Sequence, residues 1–539
     1  MVAVVRPPCD EVAIRSARST APCTANAAPW VLAATILGSS LAFIDGTVVN
    51  IALPALQRDL HATTADVQWV IEAYSLFLSA LILVGGALGD RLGRRRIFVT
   101  GIALFTAASV LCGLAPDPLV LILARAVQGI GGALLIPGSL AIISASFDEQ
   151  RRGRAIGTWA GFTTVTSALG PLVGGWLIQT ASWRWIFFIN LPLALLTVAI
   201  TLRHVPESRD PAATGPLDWR GAALVTLGLG ALVFGLIHAG VVGLGAPLVL
   251  VSLLIGVGAL VAFFFAETHV TPPTTPMVPL RLFRSRTFSG VNLMTLLLYA
   301  GLGGALYFLP FNLQQVQGYS AVEAGAALLP MTIIIFVLSR WAGGLVDRYG
   351  ARPPLVVGSF IAAIGFALFA VPYIGGSYWT TYFPATVVLS LGMAIVIAPL
   401  TTTVMNAVPP AQVGTASGIN NAVSRVGGLL AIAVFTLIVV AVFSNAFTQA
   451  LAALPLSPAL HHALESQRTQ LAGIQLPGGL SATTQSAVTQ AIGTAYVRGF
   501  RVAMLLASVL ALASSLVAAL TLRGKPKPEL PASPTEGEQ

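Results

Sequence analysis

The sequence predicts an all-α, polytopic membrane protein, and three observations carry that prediction. Apolar residues make up 56% of the 539 positions and charged residues 9%, against about 25% charged in an ordinary soluble domain. The apolar residues fall into runs of roughly 17–25, the length a helix needs to cross a bilayer. The basic residues collect in every second connection between those runs. The 34 prolines and 53 glycines fit this reading, because both residues are more frequent in membrane helices than in soluble ones.

Taken in order, residues 1–29 are rich in Pro, Ala and Thr, carry Arg6, Arg15 and Arg18, and have no apolar core. They are expected to form a disordered cytoplasmic tail rather than a signal peptide. Six spans follow within 30–203, near 31–54, 67–89, 97–115, 118–141, 155–178 and 185–202. A two-helix hairpin, near 217–238 and 247–266, occupies 204–287 with its flanking loops. Six more spans lie within 288–522, near 288–311, 323–345, 354–373, 380–404, 414–443 and 497–521. The loop 444–496 faces outward, and its stretch SATTQSAVTQAIGTAYVRGF has the composition of a surface amphipathic helix. Residues 523–539 form a second disordered tail. Fourteen transmembrane helices are therefore expected.

Loop charges orient these spans. The side that holds the N-terminus collects 21 basic residues and the other side 5, so the first, the basic face, is expected to be cytoplasmic, with both termini on it. The opposite side is called the far face below. The net charge of +9 is spread over membrane-flanking loops, so no nucleic-acid partner is expected. Cys9, Cys23 and Cys112 have neither disulfide-framework nor metal-site spacing, so no metal or redox cofactor is expected.

The chain also repeats itself. GALGDRLGRRR at Gly86–Arg96 returns as GGLVDRYGARP at Gly343–Pro353, and Pro137–Gly157 is echoed by Pro399–Gly418 at nearly the same offset. Both copies sit on the basic face, which makes the halves parallel repeats with the hairpin inserted between them. Two such bundles around a midplane site form a transporter design.

Only two acids fall well inside the expected spans, Asp45 in LAFIDGTVVN and Glu72 in QWVIEAYSL. A mid-membrane acid costs about 2.5–3.5 kcal/mol on insertion scales, so it normally faces a cavity or a partner. At 1.5 Å per residue, Asp45 lies ~13 Å, Glu72 ~8 Å and Arg125 ~10 Å from the far face, so the three are expected to meet around one cavity. Burial disfavours a carboxylate's charged form and a neighbouring arginine favours it. Alternation between wet, paired and dry, unpaired states therefore suits proton coupling. A polar or cationic substrate that needs the charged carboxylate then competes with the proton. The bland readings are a structural hydrogen bond for Asp45, an interfacial acid for Glu72, and bracing of helix carbonyls for Arg125.

In the loop at Gly86, Gly89, Asp90, Arg91, Gly93, Arg94 and Arg95, a tight turn needs Gly93. Asp90 can pair with the arginines there, while Arg94, Arg95 and Arg96 can anchor to anionic lipid. Gly161, Gly170, Pro171, Gly174 and Gly175 read as a close-packing and kinking device. Tyr74, Phe77, Tyr299, Tyr307, Phe311, Gln314, Asn420 and Arg425 are candidates for a substrate cavity, with ordinary packing as the alternative. Arg425, near mid-depth, needs a partner.

At these motifs the chain resembles the major facilitator superfamily, and within it the fourteen-helix drug:proton antiporters of the EmrB/QacA type. The loop signature Gly86–Arg96, RAVQGIGGA at Arg125–Ala133, Gly161-x8-Gly170-Pro171-x2-Gly174-Gly175, and IDGTVVNIALP at Ile44–Pro54 carry the resemblance. Thr166 departs from a glycine of the longer helix 5 signature, and the second loop copy has lost most of its basic residues. The resemblance implies an ion-pair gate in the loop and an export direction for the helix 5 motif.

No Gly-x4-Gly-Lys-Ser/Thr phosphate loop occurs, so the expected energy source is a proton gradient, without a cofactor. A potential of 100 mV supplies about 2.3 kcal/mol per charge. The function expected is proton-coupled export of amphipathic drugs or toxic organic compounds across the cytoplasmic membrane, with bilayer, substrate and protons as partners. Nothing points to or against an accessory membrane-fusion protein. The alternatives are a dedicated exporter of one self-made metabolite or antibiotic and, behind it, a proton–solute importer. A membrane enzyme or sensor is disfavoured because no catalytic constellation or soluble domain is evident.

Overall fold

The computed structural model describes residues 28–147, 149–209, 218–269, 276, 278–408, 413–477 and 480–522. Most of the expected N-terminal tail and all of the C-terminal one lie outside these residues. The described chain is helical throughout, with no strand. In order it runs through α1 (Ala28–Asp59), α2 (Thr64–Leu92), α3 (Arg94–Leu114), α4 (Pro118–Ser146), α5 (Glu149–Thr180) and α6 (Trp185–His204, with a break at Ile189). Then come α7 (Trp219–Val242), α8 (Pro247–Thr268), and α9 (Arg286–Phe311), which ends in a π turn at Asn312–Val316. The remaining helices are α10 (Ala321–Ala326 and Leu329–Gly343), α11 (Arg352–Phe369), α12 (Tyr378–Asn406), α13 (Val413–Ala452) and α14 (Ala482–Thr521). Among the described residues, thirteen helices are long and apolar enough to cross a membrane. The 32-residue α5 is not among them, and several of its side chains lie outside the described set.

Local chemistry starts these helices where loops meet lipid. Thr63 and Asp66 form a reciprocal capping box on α2, and Ser320 and Glu323 do the same on α10. Asp117 and Asp218 cap α4 and α7 through Val120 N and Gly221 N. Several acids near span ends are thereby used as caps, which leaves Asp45 and Glu72 as the interior ones.

Packing repeats between the halves. In the first bundle α4 lies against α2 and α3, and α1 against α5 and α6; in the second, α12 lies against α10 and α11, and α9 against α13 and α14. The bundles touch chiefly along α5–α10 and α2–α13. The hairpin flanks this junction: α7 packs on α2 and α13, and α8 packs on α7. The outer side of α8 is apolar and exposed, with Leu254 at 72% and Phe265 at 65%, as a lipid-facing helix requires.

Several ends differ from the sequence expectation. α1 continues through Pro54 to Asp59, because neighbouring helices and side chains satisfy what an intramembrane proline frees. Asp45 therefore lies ~21 Å from the end of α1 at 1.5 Å per residue, deeper than expected. The stretch expected to lie as a separate surface helix before 497 is instead the start of α14, buried through Val488, Ile492, Ala495 and Tyr496. With α13 reaching Ala452, the far-face loop contracts to a connection containing a short helix, Pro458–Glu465, and a turn, Arg468–Gly473.

Candidate functional site

Asp45, Arg125 and Gln128 form one closed network inside the first bundle. α1 supplies Asp45, and α4 supplies Arg125 and Gln128 one turn apart. Arg125 Nη1 donates to Asp45 Oδ2 at 2.5 Å and to Gln128 Oε1 at 2.7 Å, while Gln128 Nε2 donates to Asp45 Oδ1 at 2.8 Å. Arg125 Nε donates to the Val70 carbonyl at 3.0 Å, and its guanidinium lies 4.3 Å from the centre of the Tyr74 ring. Asp45 and Gln128 are fully buried and Arg125 is 1% exposed. Each carboxylate oxygen thus has its own donor, the arrangement that makes a buried charge pair tolerable.

Glycines on α4 and α2 let those two helices approach closely, which brings Val70 and Tyr74 to Arg125. A side chain at Gly129 would run into the Tyr74 carbonyl, and one at Gly85 into the Ala133 carbonyl. Gln128 lies in the motif RAVQGIGGA, but sequence reasoning gave it no part in the site. Its signal was an amide three residues after Arg125, on the same helical face.

Glu72, expected around the same cavity, does not join. Tyr74 faces Arg125, and on a helix with 3.6 residues per turn a residue two positions away points roughly the opposite way. No hydrogen bond reaches either Glu72 oxygen, and the ionisable group it faces is Tyr307 on α9.

The loop between α2 and α3 turns at Gly93, with φ of +117°, a region that favours glycine. Asp90 pairs locally with Arg94 at 2.8 Å, and among the described residues no ion pair joins it to the other bundle. A residue outside the motif holds this turn: Glu207 accepts from Arg95 N at 3.0 Å and Arg96 N at 3.1 Å, a carboxylate on a helix N-terminus. Arg95 Nη1 donates to the Val205 carbonyl at 3.0 Å. Arg91 lies beside this turn and is half-buried, as are Asp90, Arg94 and Arg95. Glu207→Ala is expected to lower stability by about 1–2 kcal/mol, read as a lower thermal midpoint in detergent.

The fold, with its paired helices and buried ion pair, can be set against known families. Residues 35–432 match the description of the Major Facilitator Superfamily. The chain belongs to that superfamily. It is a multi-pass protein of the cell membrane. A tetracenomycin C resistance and export protein of Streptomyces glaucescens is 32% identical to it over 508 residues, 93% of each chain. A puromycin resistance protein of Streptomyces alboniger is 38% identical over 75% of this chain and 80% of its own. Among solved structures, a bacterial homologue of the human lysosomal transporter Spinster superposes with a TM-score of 0.63 at 18% identity, over 92% of this chain and 97% of its own. These relatives place this superfamily member among transporters.

The helix 5 glycines act at interfaces between helices. Gly170 and Gly174 take Thr47 and Val48 of α1, while Gly175 lies against the Ala321 carbonyl of α10. In return Gly325 of α10 lies against the Pro171 carbonyl. A methyl group at Gly161 would make only ordinary contact, 3.7 Å from Phe336, and one at Gly86 likewise, 3.5 Å from Pro137. The motif thus joins the two bundles toward the far face.

The cavity candidates separate into groups. Tyr299 and Asn420 line a cavity of about 80 Å³ with Thr401, Ser417, Asn421 and Ser424, toward the basic face. Asn420 Nδ2 donates to Asn292 Oδ1 at 3.1 Å and Thr295 Oγ1 at 2.8 Å. Arg425, beside Ser424, has Tyr74 and Tyr299 as its electrostatic neighbours, and no acid pairs with it among the described residues. Phe77 instead packs with the apolar cluster under α7. Tyr307 and Phe311 line a separate far-face pocket. Gln314 Nε2 donates to the Ile51 carbonyl at 3.0 Å, tying α9 to α1.

Proposed function

We propose that this protein exports amphipathic organic compounds, drugs or toxic metabolites, from the cell in exchange for protons. Fourteen helices cross the membrane and both termini are cytoplasmic. The observation that carries this reading is the buried Asp45–Arg125–Gln128 network. A carboxylate with two donors is stable as a charge. Protonation removes the attraction to Arg125, so the network holds one arrangement of the bundle when charged and releases it when neutral. Tyr74, stacked on Arg125, transmits this change to the cavity, where Arg425 faces it. The proton gradient supplies the energy, and no cofactor is required; the protein moves its substrate without converting it.

No acid lines the cavity among the described residues, whereas Arg425 stands unpaired at its edge. Each Asp45 oxygen already has a donor from Arg125 or Gln128, so of the polar or cationic substrates considered above the cavity favours polar ones without positive charge, neutral or anionic amphipaths. The test is counterflow in proteoliposomes under an imposed pH gradient, with chloramphenicol and a phenolic naphthoquinone set against ethidium and tetraphenylphosphonium. Exchange of the first pair, weakened about tenfold or more by Arg425→Gln, is expected. Exchange confined to the two cations, unaffected by Arg425→Gln, would overturn the charge assignment.

A second reading, a dedicated exporter of one self-made antibiotic, draws on the similarity over nearly the whole length to a protein named for tetracenomycin C export. The same panel separates them, since a dedicated exporter would leave every probe untouched.

A further inference from the structure

Two stripes rich in polar residues meet on the far side, where Thr64 shares a pocket with Tyr307, Phe311 and Gln315 and Glu72 faces Tyr307. Thr64, Gln68 and Glu72 stand four residues apart on α2, so they line one face of that helix. Tyr307, Phe311 and Gln315 have the same spacing along α9 and its π turn. Both stripes descend from the far face: Glu72 lies ~12 Å from the start of α2, and Tyr307 ~12 Å below Gln315, at 1.5 Å per residue.

These stripes hold polar atoms that nothing satisfies. Thr64 Oγ1, Gln68 Nε2, both Glu72 oxygens, the Tyr307 hydroxyl and Gln315 Oε1 are all buried without a hydrogen-bond partner. Such atoms are rare and usually mark a place that water occupies. Six of the fourteen found among the described residues fall in this one seam, so they form a feature of the junction rather than a scatter of defects. A pocket of about 10 Å³ already opens there, lined by Thr64, Tyr307, Phe311 and Gln315, roughly the space of one water molecule. Gln470 and Leu471, from the far-face turn, also line it.

At the base of the seam, Glu72 has no counter-ion among the described residues. Gln68 is its polar neighbour on α2, and among the described residues no charged group of α4, α7 or α13 faces it. Tyr307 faces it from α9, with Tyr496 of α14 behind. A lone carboxylate at this depth is costly as an anion, whereas Asp45 has Arg125 as its counter-charge.

We propose that the seam is a water-filled proton entry from the far face and that Glu72 carries a second proton, independently of Asp45. Hydronium entering past Thr64 and Gln68 transfers its proton to a Glu72 oxygen and leaves as water; the proton departs toward the basic face once the bundles have rearranged. This inference rests on the proton-coupled reading above, and it makes each cycle an exchange for two protons.

The test needs no substrate. Infrared difference spectra of the full-length protein in liposomes, between alkaline and acidic buffer, report the buried carboxylic acids that gain protons. Two bands are expected, one lost in Asp45→Asn and the other in Glu72→Gln, each variant leaving the other's band in place. Tyr307→Phe serves if Glu72→Gln does not fold, and it should shift the Glu72 band alone. A spectrum that Glu72→Gln and Tyr307→Phe both leave unchanged would overturn the second carrier. A wild-type spectrum that shows the Glu72 band but no band that Asp45→Asn removes would count against the coupling reading instead. Persistence of both bands when Thr64→Val and Gln68→Leu are combined, with unchanged rates of protonation after an external pH jump, would overturn the seam as the entry.

Discussion

Asp45→Asn abolishes uphill, proton-driven export, reducing accumulation to that of protein-free liposomes. Asparagine keeps the shape of aspartate and can still accept from Arg125, but its amide nitrogen then meets Gln128 Nε2, donor against donor. If Gln128 flips, it loses its bond from Arg125 instead. Either way one buried donor is unmet, at about 1–3 kcal/mol, and Arg125 keeps its charge with no counter-charge. Breaking a buried pair costs about 3–5 kcal/mol in the severest cases, so a lower thermal midpoint is also expected, without loss of the protein from the membrane. Asp45→Glu retains the charge and should restore part of the coupling, which a purely structural role would not require. Wild-type accumulation by Asp45→Asn would remove this carboxylate from the mechanism.

Gly175→Leu is expected to cut export tenfold or more for a different reason. The contacts at Gly175 and Gly325 are with backbone carbonyls, Ala321 and Pro171, which cannot swing aside as a side chain can. Overpacking costs about 1–3 kcal/mol, and here it falls only on the state with the bundles joined toward the far face. At 1.4 kcal/mol per factor of ten, that shifts the balance toward an open far face. A cysteine placed at Gln314 should become more reactive toward a membrane-impermeant thiol reagent added outside. Gly161→Ala is the control: the added methyl would lie 3.7 Å from Phe336, an ordinary contact, and export should stay within about twofold. Equal effects at both glycines would show that general helix destabilisation, not the junction, is responsible.

Some of this was legible in the sequence, because bilayer physics leaves a one-dimensional record. Apolar run lengths and the alternation of arginine-rich loops need no knowledge of tertiary contacts. The meeting of Asp45 with Arg125 was also foreseeable, since a buried acid and a buried base at similar depth must find partners. Rotation about the helix axis was the missing quantity. Glu72 and Tyr74 are neighbours in sequence, yet α2 sends one toward Tyr307 and the other toward Arg125. Phe77, expected at the cavity, turns to the hairpin for the same reason, since α7 takes that face of α2. Helix ends misled where lipid stopped but packing continued, as in α1 beyond Pro54 and α14 before 497. Glu207 lay outside every recognisable motif, and only the folded chain brings it to the α3 N-terminus.

The most direct measurement of the central claim is the proton movement that substrate flow itself produces. Proteoliposomes carrying a pH-reporting dye, given a gradient of an exported probe and no imposed pH difference, should show protons moving opposite to the probe. With Asp45→Asn, this proton movement should vanish. Probe flux through the wild type without any proton movement, or undiminished proton movement through the variant, would contradict it.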